Sequence, residues 1–254
     1  MSSPVSSVAM PGARVLSPRD QLPREQLIVA LDFPDGAAAL ALVDRLENLI
    51  QWFKIGLELY LSEYNSIVDA VQSRGFSVFL DLKLHDIPNT VAGAVRSVAK
   101  SGAGMLTLHS AGGPAMLAAA REAAVALPSP LKLLAVTVLT SMDPSQLAST
   151  GITASPADQV MRLAKMAYGT GIRGFVASAE EVAALRAAYP DATLVIPGIR
   201  PAGADAGDQK RVATPAAAIA AGADYLVVGR PITQAADPAA AAHSILEEIA
   251  AAKS

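Results

Sequence analysis

Leu27-Ile28-Val29-Ala30-Leu31-Asp32, then Phe33-Pro34-Asp35-Gly36, then a helix-patterned stretch to Leu49, form the unit whose reading decides the fold. A continuous apolar run ends in a charge, a turn follows, and a 3.6-residue periodicity takes over. From Leu27 onward the unit recurs. Short apolar runs occupy 27–32, 51–56, 76–81, 104–109, 132–138, 173–177, 193–197 and 224–229. Helical patterning falls near 36–49, 58–74, 89–101, 114–126, 156–170, 179–188, 214–221 and 238–252. The runs are apolar throughout, as parallel strands buried on both faces require. Many helices are alanine-rich, which favours helix and permits close approach to a sheet. Eight strand–helix units predict an α/β chain folded as a single (β/α)8 TIM barrel. An open doubly wound sheet would ask for a Gly-x-Gly-x-x-Gly turn after the first strand, and none follows Leu31.

Residues 1–24 differ from the rest. They are rich in Ser, Pro and Gly without apolar periodicity, so a flexible leader is expected there, ahead of a barrel domain over 25–254. Hydrophobic residues make up 52% of the 254-residue chain, but no uncharged apolar run approaches the ~18 residues of a membrane span. A net charge of −3 without a basic block argues against nucleic acid as partner. With no Cys there is no disulfide, no thiolate nucleophile and no cysteine-held metal. His85, His109 and His243 lack the two-histidine spacing of a zinc helix, so no metal is expected. A cytoplasmic enzyme or binding protein fits these features.

In such a barrel, chemistry sits at the C-terminal ends of the strands. Asp32 ends the first run, Lys54 lies near the end of the second and Asp81 closes the third, with Lys83 and Asp86 just beyond. If the extended backbone persists, Asp81 and Lys83 point the same way. Charges in an apolar barrel mouth are costly unless paired, and apolar packing often serves stability as well. Several of them converging on one rim therefore point to function. After the seventh and eighth runs come Pro197-Gly198-Ile199-Arg200-Pro201 and Gly229-Arg230-Pro231, with Asp208-Gln209-Lys210-Arg211 between them. Glycine lets backbone N–H groups approach an anion and arginine supplies a two-pronged donor, which suits a phosphate.

Asp81-Leu82-Lys83-Leu84-His85-Asp86-Ile87-Pro88-Asn89-Thr90 resembles the DxKxxD-[IV]-P-x-T signature of the orotidine 5′-phosphate decarboxylases. The resemblance extends over about 27–250 through Ala30-Leu31-Asp32, Phe53-Lys54-Ile55-Gly56, Leu139-Thr140-Ser141, Pro197-Gly198-Ile199-Arg200-Pro201, Gln209 and Val228-Gly229-Arg230-Pro231. Leu84 departs from the aromatic residue common in that family. The resemblance implies a cofactor-free lyase converting orotidine 5′-monophosphate to uridine 5′-monophosphate and CO2. It implies a phosphate held by Gly229, Arg230 and Gln209 with Arg200 nearby, and ribose hydroxyls at Asp32 and Lys54. Thr140 and Ser141 would lie beside the pyrimidine. It further implies a homodimer in which Asp86, Ile87 and Thr90 complete the partner's site. Lys83 becomes the proton donor to C6, Asp81 the neighbour of the substrate carboxylate, and Lys54-Asp81-Lys83-Asp86 a preorganised charged array. Related phosphosugar enzymes that use Mg2+ generally carry an acid at the end of the second strand, where this chain has Lys54.

Overall fold

The computed structural model describes residues 22–128, 131–201 and 212–253. Eight parallel strands close into one barrel in sequence order: β1 Leu27–Leu31, β2 Trp52–Gly56, β3 Ser77–Leu84, β4 Met105–His109, β5 Lys132–Val136, β6 Gly174–Val176, β7 Thr193–Ile196 and β8 Tyr225–Val228. β1 pairs with both β2 and β8, which closes the ring. The helices are α1 Pro23–Gln26, α2 Gly36–Arg45, α3 Leu57–Glu63, α4 Asn65–Gln72, α5 Pro88–Lys100, α6 Gly113–Val125, α7 Pro144–Ser149, α8 Pro156–Gly169, α9 Val182–Ala188, α10 Pro215–Ala221, α11 Arg230–Thr233 and α12 Pro238–Ala251. Residues 1–21 of the expected leader lie outside the described residues, and its last three are the extended N-cap Leu22 and the first two residues of α1.

Two apolar layers explain why the strands read as continuous runs. One fills the barrel interior with Ile28, Ala30, Phe79, Met105, Leu134, Val195, Tyr225 and Val227. The other lies between barrel and helices and takes the alternate residues, such as Leu27, Val29 and Leu31 of β1. Each strand thus buries both faces. Near the N-terminal end of the barrel, Trp52 meets the Tyr225 ring edge-on at 6.1 Å, an arrangement aromatic pairs favour.

The helix expected over 58–74 is two helices. Tyr64 joins α3 to α4 at φ 52°, which no helix interior accommodates. α7 lies in a stretch where the sequence patterning placed no helix: Asp143 accepts from the Gln146 N–H at 2.8 Å and Gln146 Oε1 accepts from the Asp143 N–H at 3.2 Å, a capping box. Among the described residues no helix is long and apolar enough to cross a membrane.

Candidate active site

The interior alternation carries the chain from apolar core to charged mouth. Stepping by two along β1 gives Ile28, Ala30 and then Asp32; β2 gives Trp52 and Lys54; β3 gives Phe79 and Asp81; β4 gives Met105, Thr107 and His109. Of these, Ala30, Asp32, Lys54, Phe79 and Asp81 line a cavity of about 610 Å3 at the C-terminal end of the barrel. Asp32, Lys54, Asp81, Lys83, Thr140, Ser141, Arg200, Gly229 and Arg230, all marked by the sequence, line it.

The charges are paired in a chain. Lys54 Nζ donates to Asp32 Oδ1 at 3.0 Å and lies 3.5 Å from Asp81 Oδ2, while Lys83 Nζ lies 2.9 Å from Asp81 Oδ1. The side chains of Lys54 and Asp81 are 11% and 14% exposed, so solvent screens this pair little. Burial is the largest single influence on Asp81 and opposes its ionisation. The combined pull of Lys54, Lys83 and the bond from Thr107 outweighs it and holds the carboxyl below its usual pKa of 3.8.

Asp81 and Lys83 do meet, but not on an extended backbone. Lys83 sits at φ 49°, in the left-handed region. The β3–β4 register shifts there: Leu80 pairs with Leu106 and Leu84 with Leu108, so four residues of β3 span two of β4. The Lys83 N–H donates to Thr107 Oγ1 at 2.9 Å, and Thr107 Oγ1 donates to Asp81 Oδ1 at 2.9 Å. Thr107 is fully buried. Sequence reasoning passed over it, although its place two residues before His109 on the inward face of β4 was the available signal. Gln234, just beyond α11, also lines the cavity and also went unread.

Three marked residues stay outside this cavity within one chain. Asp86 and Ile87 are exposed on the β3–α5 connection and Thr90 in the first turn of α5, with Ile87 67% exposed. Asp86 Oδ1 accepts the Ile87 N–H at 2.6 Å. Gln209, and with it Asp208, Lys210 and Arg211, falls outside the described residues. His109 packs beside His85 with ring centroids 5.4 Å apart; burial first, then the neighbouring His85 and Lys83, push its pKa below 6.5, against a smaller opposite pull from Asp81. Among the described residues no group of three or more His, Asp or Glu is arranged to hold a metal ion.

The barrel mouth thus holds a Lys–Asp–Lys chain and, lining the same cavity, an arginine after β8. Residues 25–245 match the family described as orotidine 5′-phosphate decarboxylase / HUMPS. The chain belongs to this family. It is 51% identical over 224 residues to the orotidine 5′-phosphate decarboxylase of Pseudomonas aeruginosa strain LESB58, covering 88% of this chain and 97% of that one. The Pseudomonas putida GB-1 orotidine 5′-phosphate decarboxylase is 52% identical over 225 residues, at 88% and 96% coverage. The crystal structure of orotidine 5′-phosphate decarboxylase from Lactobacillus acidophilus superposes with a TM-score of 0.79 at 37% identity, covering 89% of this chain and 99% of that one. Membership makes this chain an enzyme, and its barrel the one seen in that structure.

Proposed function

We propose that the enzyme removes CO2 from C6 of orotidine 5′-monophosphate to give uridine 5′-monophosphate, the closing step of pyrimidine nucleotide synthesis, in the cytoplasm and without a cofactor. The observation that carries this reading is the Asp32–Lys54–Asp81–Lys83 chain sharing one cavity with Gly229 and Arg230. The phosphate lies against the Arg230 guanidinium and the Gly229 N–H, with Arg200 lining the same cavity; the family resemblance adds Gln209 as a phosphate ligand. Asp32 and Lys54 hold the ribose hydroxyls. Thr140 and Ser141 flank the pyrimidine.

Loss of CO2 leaves an electron pair on C6 in an orbital poorly conjugated with the ring, so the protein must supply a favourable field and a proton. Lys83 Nζ gives its proton to C6 as the C–C bond breaks. Asp81 stands beside the substrate carboxylate and fixes Lys83, at 2.9 Å, where the negative charge develops. Both groups are held before substrate arrives, which avoids reorganisation during the reaction. Binding energy from the unreacting phosphate helps exclude water from the carbanion. Lys54 at the end of β2, where related Mg2+-dependent enzymes carry an acid, disfavours a cation at that position.

The enzyme works as a homodimer whose partner supplies Asp86, Ile87 and Thr90 to the site. Exposed apolar side chains support this reading: Ile87 itself is 67% exposed, and Leu61 and Tyr64 are 61% and 66% exposed. The deciding experiment follows loss of orotidine 5′-monophosphate by absorbance with and without chelator. Turnover unaffected by chelator in the wild type, and abolished in Lys83→Ala, is expected. No loss of substrate, or dependence on a metal, refutes the assignment; near-normal turnover by Lys83→Ala refutes the proton donor. Mixing inactive Lys83→Ala with inactive Asp86→Asn tests the shared site. Mixed dimers regenerate one intact site and restore about a quarter of wild-type activity, whereas no recovery refutes the contribution in trans.

A further inference from the structure

We infer that Thr107 is a positioning residue for the proton transfer, its hydroxyl fixing the Lys83 backbone and the Asp81 carboxylate relative to one another. The inference rests on the reading of Lys83 as proton donor. Lys83 N–H, Thr107 Oγ1, Asp81 Oδ1 and Lys83 Nζ form a closed ring of three polar contacts, each 2.9 Å long. The ring starts and ends on the same residue, so Thr107 ties both ends of Lys83 to one carboxylate oxygen.

The ladder shows why a side chain is needed. With four residues of β3 set against two of β4, the Lys83 N–H is satisfied by the Thr107 hydroxyl. A lysine in the left-handed region is strained and persists only where its surroundings hold it. A hydroxyl is suited to this place because it accepts from the N–H and donates to the carboxylate at once. Valine has nearly the same shape and does neither. Thr107 is fully buried, so solvent cannot take over these bonds in the native structure. The charged and titratable groups facing Asp81 are Lys54 from β2, Lys83 from β3 and His109 from β4.

Thr107→Val and Thr107→Ser, compared with wild type, test the inference. In Thr107→Val, kcat falls about 10- to 100-fold while KM changes less than about threefold, because misplacement acts on the transition state more than on binding. The acid limb of kcat/KM moves to higher pH, because the carboxylate loses a donor that favours its charged form. Thr107→Ser keeps both bonds and restores both readouts. A merely structural role lowers melting temperature but leaves kcat and the acid limb in place, and that result overturns the inference. So does a serine variant as impaired as valine. Should Thr107→Val fail to fold, Thr107→Ala carries the same comparison. NMR titration of the Asp81 carboxyl without substrate separates the two readings. An upward shift in the valine variant supports Thr107's hold on Asp81 even if the wild type fails to turn over orotidine 5′-monophosphate, and no shift refutes it.

Discussion

Asp81→Asn asks whether the charged array stabilises the free enzyme or is kept at its expense. Asp81 meets Lys83 at 2.9 Å and Lys54 at 3.5 Å, with the carboxylate 14% exposed. At an effective dielectric near 20 each contact is worth about 5 kcal/mol of direct attraction, and burying the carboxylate gives back several kcal/mol. Removing one partner of a buried pair generally costs ~3–5 kcal/mol. Here Lys54 keeps Asp32 at 3.0 Å and Lys83 is 33% exposed, so a loss of about 2–3 kcal/mol is expected. For a domain of this size that corresponds to a drop of about 5–10 °C in Tm. Asparagine still accepts the Thr107 bond, so the change isolates charge. Thermal denaturation followed by circular dichroism at pH 7 provides the measurement. Because the Asp81 pKa is lowered below 3.8, its stabilisation is fully present above that value and is lost only as pH falls through the lowered one. The wild-type advantage should therefore be constant from pH 5 to pH 8. A variant as stable as wild type, or more so, would refute the reasoning: the carboxylate would then be a net cost in the free enzyme, retained for catalysis alone.

His109 predicts a pH slope of its own. Its pKa lies below the unfolded value of 6.5, so the unfolded chain binds more protons in that window and stability falls as pH drops below about 6.5. His109→Asn should flatten Tm between pH 7.5 and pH 5.5, and an unchanged slope would assign it elsewhere. Gly56→Ala should leave Tm almost unchanged yet lower kcat/KM about tenfold, since an added Cβ lies 3.2 Å from Lys54 Nζ and displaces a flexible tip that has a fixed task. Wild-type kinetics in that variant would show that Lys54 tolerates movement. Arg230→Ala should raise KM for the phosphorylated substrate about 10- to 100-fold, as loss of a charge-assisted bond does. Inhibition by the free nucleoside should not change, and an equal loss for both ligands would remove Arg230 from the phosphate.

The barrel was legible because its strands bury both faces, which leaves an unbroken apolar run such as Leu27-Ile28-Val29-Ala30-Leu31 wherever a strand lies. Legibility failed where no residue type announces the geometry. Tyr64 breaks a helix without glycine or proline, and Lys83 turns left-handed inside a motif that reads as extended. The capping box at Asp143 and Gln146 was present in the sequence and simply unread. The acid and lysine positions at strand ends stood out because charge next to an apolar run is conspicuous. Thr107 is neutral and small, and only the inward alternation of β4 distinguishes it from packing. Asp86, Ile87 and Thr90 are exposed and lie outside the cavity in one chain, and only the family resemblance marked them.

The Asp-x-Lys spacing shows how a correct contact can follow from an incomplete premise. Extended backbone would already point residues 81 and 83 to one side, so the left-handed turn is not needed to face the lysine inward. The turn instead takes the Lys83 N–H to the Thr107 hydroxyl, which holds Asp81 from the other side. Strand pairing is indifferent to which side chains it carries, whereas this bond links the lysine's backbone to the carboxylate that its own ammonium contacts. Such a link restricts the ammonium at both ends, and a donor restricted before substrate binds loses less freedom at the transition state. On the proposed role of Lys83 as proton donor, its strain is the conformational cost of placing that proton, and it occurs where preorganisation has the largest effect on rate.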